Sequence, residues 1–389
     1  MVNFKFILIC HFGLEKVLKS EIRKLGLEIA NVTDGEIKAI GTLEDIPRLN
    51  FNLRTCERIM IEINNFKATT FDELYNNVLN SEIEKFVPVD GEFIISKANQ
   101  DKNSILHSST AIQSIVKKAM VDRLKKVYNA NILTESNGKY SFRVKFNKNI
   151  CSLRLDTTGD SLHKRGYRIK SGLAPIEETL AAALVNLVDF NEKKILIDPF
   201  CGSGTIPIEA AMILYSIPPS IDRAFVSETW DILPQTCWEN AKNEIITKTE
   251  KFSKFNNNIM IFGFDIDKNM IKISSENAKR AGVDNLIHFE NCAIKDLVNN
   301  LTIMKIFNSD LYKNTEKIVL CNPPYGERLE DKNTVEIIYK EFYNFYKNFA
   351  GLKLNFITSY GKVEKIFGKA LKNRKIYNGM IKTYLYSYG

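Results

Sequence analysis

The stretch Asn322-Pro323-Pro324-Tyr325 follows directly on the apolar run Ile318-Val319-Leu320-Cys321. Proline fixes φ and lacks an N–H, and it pushes the residue before it toward extended geometry. The four residues are therefore held in one shape. That shape suits a demanding reaction on a nitrogen that is a poor nucleophile because its lone pair is delocalised into an adjacent π-system. To react, its N–H bonds must be held so that the lone pair faces the incoming group. The Asn322 side-chain oxygen and the Pro323 carbonyl can each accept one N–H, and Pro323 and Pro324 keep them rigid, which is catalysis by orientation. Tyr325 offers a face for an unstacked base. Taken alone, the motif could also be a proline-rich turn after a core strand.

Two upstream motifs argue for the chemical reading. In Ile197-Asp198-Pro199-Phe200-Cys201-Gly202-Ser203-Gly204-Thr205, a short apolar run meets a Gly-rich turn. Gly202 and Gly204 permit sharp turning and close backbone approach. A dinucleotide fingerprint would place a third glycine where Pro207 stands, and the Lys-Ser/Thr of a phosphate-cradling loop is missing. Asp198 would repel a pyrophosphate. These features suit a cofactor without phosphates and with positive charge, as in the ammonium and sulfonium of S-adenosyl-L-methionine. Farther on, Gly263-Phe264-Asp265-Ile266-Asp267 places Asp265 at a strand end, where a carboxylate grips ribose hydroxyls. Asp267 is expected to cap the following helix.

The elements that must position these residues read as an α/β chain. From about residue 170, helices alternate with short apolar strands, which predicts a parallel, doubly wound sheet. The tail breaks the alternation. Two strand-like runs meet at Asn378-Gly379, a hairpin signal, so an antiparallel last strand is expected. Residues 1–65 alternate strand and helix as a small α+β unit, with a turn at Asp34-Gly35. Residues 66–165 contain a helix of about 20 residues with Ile112, Ile115, Val116, Ala119, Met120, Leu124 and Val127 on its apolar face. Two strands with basic residues on one side follow it. Domains are thus expected at 1–65, 66–165 and 166–389, with an insertion at 215–258 whose Trp230 and Trp238 serve core packing.

The 389 residues are 44% hydrophobic and 26% charged, the make-up of an ordinary globular protein. Without an apolar run of 18 residues, a spanning helix is not expected. The N-terminal Phe4–Cys10 stretch contains Lys5 and leads into a helix-like segment, so it reads as a strand and not as a signal peptide. Seven scattered cysteines without a C-x-x-C pair suit small buried residues of a reduced, cytoplasmic protein. The four histidines lack metal-ligand spacing, so no metal is expected. Formal charge is +8, yet residues 101–170 hold 15 Lys and Arg against 5 Asp and Glu. Such asymmetry points to a polyanion. Lys117, Lys118, Lys125 and Lys126 on the polar face of the long helix are the candidate contacts.

Together DPFCGSGT, GFDID and NPPYGERL resemble class I methyltransferases that act on exocyclic amines. With SLHKRGYR followed by APIEETLAAAL, the chain is similar to the bacterial THUMP-domain RNA methyltransferase family. That family includes the guanine-N2 half of a bifunctional large-subunit rRNA methyltransferase. The resemblance implies a Rossmann-like methyltransferase sheet preceded by a ferredoxin-like unit and a THUMP domain. It implies S-adenosyl-L-methionine as cofactor and RNA as partner, ribosomal RNA ahead of tRNA. The cofactor set it suggests is Asp198, Phe200, Gly202, Gly204, Thr205, Asp265 and Ile266, with Glu178 and Thr179 on a covering helix. The family's adenine-contacting carboxylate is replaced here by Ala293, which leaves Asp296 or backbone near Cys292 and Ala293 for that role. Arg165, Tyr167 and Arg168, in the stretch 163–168, would carry RNA phosphates toward the site, or be a solvated linker. Glu327 and Arg328 would pair with each other or touch RNA. Rival readings are a DNA amino-methyltransferase, a protein-glutamine methyltransferase and a non-catalytic RNA-binding protein.

Overall fold

The computed structural model describes residues 3–168, 176–252, 259–325, 332–379 and 381–389. Gly326, Glu327 and Arg328 lie outside them, as do Ala174 and Pro175 at the start of the APIEETLAAAL stretch. The chain forms two compact units.

The first unit comprises Met1–Cys10, Leu18–Leu162 and Ser220–Glu244. Its elements are β1 (Phe4–Ile9), most of α1 (Glu15–Lys24), β2 (Glu28–Thr33), β3 (Glu36–Gly41), α2 (Asp45–Asn52), β4 (Arg58–Lys67), α3 (Phe71–Leu79), β5 (Gly91–Gln100), α4 (Ser109–Tyr128), β6 (Asn137–Asn147) and β7 (Ile150–Asp156). All seven strands join one sheet in the order β2-β3-β1-β4-β7-β6-β5. The boundary expected after residue 65 therefore falls within β4. Its first half pairs with β1, and its length pairs with β7 from Met60 to Lys67. A strand shared in this way needs no linker, so sequence composition does not change at the join.

Helix α4 starts at the Ser108 cap, whose side chain accepts from the Ala111 N–H, and stops at left-handed Asn129. Ile112, Val116, Ala119, Met120 and Leu124 are buried as expected, but Val127 in the last turn is 42% exposed. The stretch 215–258 divides: Ser220–Glu244 packs within this unit. Trp230 stacks on Tyr140 (centroids 5.4 Å apart) and donates to the Lys139 carbonyl, while Trp238 stacks on Phe225.

The second unit comprises His11–Val17, His163–Pro219 and Ile245–Gly389. Its sheet contains β8 (Lys194–Asp198), β9 (Ile261–Asp265), β10 (Ile287–Asn291), β11 (Glu316–Cys321), β12 (Lys353–Thr358), β13 (Lys372–Asn378) and β14 (Ile381–Tyr388), in the order β10-β9-β8-β11-β12-β14-β13. β8 to β12 are parallel; β14 runs antiparallel between β12 and β13. The expected doubly wound sheet with an antiparallel last strand is present.

Alternation of side chains along each strand feeds two cores. Leu196, Ile318 and Leu320 face the core of α5 (Glu178–Leu187), α6 (Thr205–Leu214) and α8 (Lys268–Arg280). Ile195, Ile197, Val319 and Cys321 face the core of α9 (Leu301–Asn308), α10 (Lys332–Asn348) and α11 (Val363–Phe367). The helix α7 (Gln235–Phe252) bridges the sequence between β8 and β9. The chain steps from β8 outward to β9 and β10, then returns to the other side of β8 with β11. The resulting switch point lies at the carboxyl ends of β8 and β11, the usual ligand position in such sheets.

Candidate active site

Asp198 ends β8 and is 1% exposed. Its Oδ1 accepts from the Phe200 N–H at 3.1 Å. Burial pushes this carboxyl well above the usual range, with the nearby Asp265 adding to the shift. Asp265 ends β9; its Oδ2 accepts from the Gly202 N–H and its Oδ1 from the Asp267 N–H, both at 2.9 Å. Burial raises its pKa as well. Each oxygen retains lone-pair capacity for a further donor. Asp267 caps α8 by accepting from the Asn269 N–H.

The two glycines of the turn differ in what they do. Gly202 has φ +51°, and a Cβ there would meet nothing within 4 Å, so the backbone stands open on that side. Gly204, at φ +83°, caps α6 and packs so tightly that a Cβ would come within 2.9 Å of Ser274 and 3.0 Å of Phe289. It serves the fold. Thr205 begins α6 and is buried, and Phe200 packs edge-on against Phe342. Ile266 is 75% exposed beyond Asp265. Ala293 is tied to the same place: the Cys292 N–H donates to the Asp265 carbonyl at 3.0 Å, and Asn291 Nδ2 donates to the carbonyls of Asp265 and Ile266. Asp296 is exposed, its N–H bonded to the Ala293 carbonyl.

Across the switch point, Asn322 follows β11. Its Oδ1 is buried and accepts no hydrogen bond among the described residues. An orphaned buried acceptor costs about 1–3 kcal/mol, so it is expected to have a partner in the working state. Pro323 is buried, while Pro324 and Tyr325 are half-buried. Sequence reasoning missed one supporting residue: Asn378, at the end of β13, donates to the Tyr325 hydroxyl at 3.2 Å. The Asn378-Gly379 hairpin signal located the turn but said nothing of this reach.

Contrary to the expected path for RNA phosphates, Arg165 and Tyr167 of the stretch 163–168 are buried, at 6% and 4% exposed. Both face Glu209 of α6, with Tyr167 Oη donating to Oε1 at 3.1 Å and Arg165 Nε 3.5 Å from it. Arg168 donates to the Ile176 carbonyl and to Glu178, each at 2.7 Å. A buried acid draws these bases inward, because an unpaired buried charge is costly. Glu178 and Thr179 are themselves buried at the start of α5; burial pushes the Glu178 carboxyl up to about 7 against the opposing pull of Arg168.

In the first unit, the α4 lysines are partly committed. Lys117 donates to Glu135 (2.6 Å) and to the Phe93 carbonyl, and Lys118 sits over the Tyr75 ring. Lys126 is exposed and Lys125 half-buried. The basic residues of β6 and β7 gather elsewhere: Arg143, Lys145 and Arg154, with Arg58 and Lys97, line a cavity of about 310 Å³ on the sheet. The Arg143 Nε in it is buried, makes no hydrogen bond among the described residues and lies 3.4 Å from Asp156 Oδ2.

Residues 165–387 match the family described as RMKL-like, methyltransferase domain. The chain belongs to the RMKL-like methyltransferase family. Before that domain, residues 5–60 match the RlmL ferredoxin-like domain and 68–156 the THUMP domain. The RMKL-like chain is 38% identical to the putative RNA methyltransferase YpsC of Bacillus subtilis (strain 168), over 100% of this chain and 96% of that protein. It is 30% identical to the ribosomal RNA large subunit methyltransferase K/L of Psychromonas ingrahamii, over 97% of this chain but 49% of that protein. Among solved structures it resembles SMU.472, a putative methyltransferase complexed with SAH, at TM-score 0.90 and 32% identity, covering 100% and 98% of the two chains. As a class I RMKL-like methyltransferase, the chain takes its methyl group from S-adenosyl-L-methionine. The residues present fit that cofactor: two desolvated acids await positive charge, and the Gly202 backbone stands open beside them. Among the described residues, no helix is long and apolar enough to cross a membrane.

Proposed function

We propose that this chain is an S-adenosylmethionine-dependent RNA methyltransferase whose target is an exocyclic base amine, guanine N2 of large-subunit ribosomal RNA. The observation that carries the reading is the buried Asn322 Oδ1 at the switch point, without a partner among the described residues, one strand from Asp198 and two from Asp265. The THUMP domain and the RNA methyltransferases among its relatives support RNA as the polymer.

Asp265 holds the ribose hydroxyls, and its backbone bonds to Gly202 and Asp267 fix the carboxylate plane. Asp198 and the open Gly202 backbone receive the amino-acid end. Ile266 and Ala293 bound the adenine with apolar surface and the main chain. When bound, S-adenosylmethionine supplies an electrophilic methyl on a positively charged sulfur. Asn322 Oδ1 and the Pro323 carbonyl accept the two amine N–H bonds and turn the lone pair toward that methyl. Their acceptance also steadies the positive charge that grows on the nitrogen. Tyr325, with its hydroxyl held by Asn378, gives the extruded base a face to lie on.

The test is mass spectrometry of nucleosides after the protein has acted on unmodified ribosomal RNA with isotope-labelled cofactor. Label in N2-methylguanosine is expected. Label in adenine N6 leaves the amine-holding mechanism standing but removes the assigned base; no label in RNA overturns the reading.

A further inference from the structure

The tail of the chain is richer in positive charge than its function as a sheet edge requires. Between Lys369 and Gly389 stand Lys369, Lys372, Arg374, Lys375 and Lys382, with no Asp or Glu among them. Most of these residues lie on the β13–β14 hairpin. Register fixes where the hairpin projects. Thr358, the last residue of β12, pairs with Tyr384, so β14 extends from Tyr384 out to Ile381, about 10 Å beyond the carboxyl edge of the sheet at strand spacing. That edge is the one carrying Asn322.

On this overhang cations and rings interleave. Lys375 lies opposite Tyr384, and Tyr377 opposite Lys382. Opposed residues share a sheet face, so these four form one surface. The Lys375 ammonium is 5.2 Å from the Tyr377 ring centre and 5.7 Å from that of Phe12, and Phe12 meets Tyr377 edge-on at 5.8 Å. Lys382 lies over Tyr384 at 5.4 Å. Phe12 is 40% exposed and both lysines are exposed. The same hairpin reaches the candidate base pocket directly, through Asn378 and the Tyr325 hydroxyl.

We infer that the β13–β14 hairpin, with Phe12, is the platform on which the single-stranded RNA flanking the target base docks. The inference rests on the RNA reading above. Alternating rings and ammonium groups suit a polymer of alternating bases and phosphates: rings stack bases of any sequence, and cations pair with phosphates. An acidic polypeptide would match the charge but leave the rings without planar partners.

The experiment uses the full chain, saturated with S-adenosylhomocysteine, and a fluorescein-labelled single-stranded RNA read by anisotropy. Replacing Lys375→Glu and Lys382→Glu together is expected to weaken RNA binding at least about tenfold near 0.1 M salt and to flatten the salt dependence by about two counterions. Cofactor affinity and thermal midpoint should stay unchanged. The KM for RNA should rise, with kcat at saturating RNA nearly constant. Tyr377→Ala should weaken binding severalfold and Tyr377→Phe restore it, which separates stacking from folding. Unchanged RNA affinity in the double variant, with active wild type, overturns the hairpin platform alone. A wild type that methylates no RNA overturns the reading beneath it. A polyglutamate peptide that competes as strongly as RNA of equal charge also overturns the platform.

Discussion

At the carboxyl edge of the parallel sheet, the β8–β9 half holds two desolvated carboxyls, Asp198 and Asp265. The β11 half, one strand away, holds neutral oxygens on a proline-locked backbone, with Asn322 Oδ1 unpartnered among the described residues. Both halves offer acceptors, but of different strength. A cationic ligand calls for charge, and the acids are buried enough for that charge to act strongly. A weakly nucleophilic amine calls for orientation, and a carboxylate there would add desolvation cost without adding aim. The edge thus separates holding the cofactor from aiming the substrate.

That separation is sharpest at Asn322. Asn322→Ala should slow methyl transfer by about 10²–10⁴-fold, the range for losing a positioned polar group, with cofactor affinity unchanged. Asn322→Asp should be milder because a carboxylate still accepts an N–H. Single-turnover rates and calorimetry measure the two readouts; full activity in Asn322→Ala, or a matching loss of cofactor affinity, breaks the division. Conversely, Asp265→Ala should weaken cofactor binding by about 2–3 kcal/mol, as for lost hydrogen bonds to a charged group. Its rate at saturating cofactor should fall much less.

Local chemistry in the sequence located these strand ends. The apolar runs end at Asp198, Asp265 and Cys321, and the Asp267 cap and the Asn378-Gly379 turn follow residue preferences that act over two to four positions. Long-range pairing was not legible. Arg165 and Tyr167 read as basic and aromatic contacts because their partner, Glu209, lies about 40 residues farther on and is itself fully buried. Likewise nothing near residue 65 announces that β4 will serve two sets of neighbours, since a shared strand is written like any other. The single-residue reach of Asn378 to Tyr325 spans 53 positions and depends on the sheet order.

A pH titration probes the acidic half, together with the other buried carboxyl of this unit that burial raises, Glu178. Burial raises the Asp265 pKa, so between the ordinary carboxylate value and the raised one the native state binds more protons than the unfolded chain. Stability of the cofactor-free protein should therefore fall as pH rises through that window. Cofactor affinity should move the opposite way, weakening as pH falls into the window, because protonation removes the charge that the cation needs. Calorimetry from the ordinary carboxylate range upward checks both slopes. Asp265→Asn should flatten the affinity slope, while Asn322→Ala should leave it intact.

The smallest effect belongs to the tyrosine that completes the neutral half. Tyr325→Ala should weaken capture of the base by about 1–3 kcal/mol, the usual value of one stacked base. Tyr325→Phe keeps the ring and loses only the hydroxyl that accepts from Asn378. A neutral hydrogen bond of this kind contributes about 0.5–1.5 kcal/mol, so the rate should drop severalfold at most. Asn378→Ala breaks the same bond from the other side. If the hydroxyl serves only to hold the ring, Tyr325→Phe, Asn378→Ala and the double variant should show nearly equal losses, the signature of two residues acting through one contact. Additive losses in single-turnover assays would mean that the Tyr325 hydroxyl touches the substrate itself, and that the neutral half does more than aim the amine.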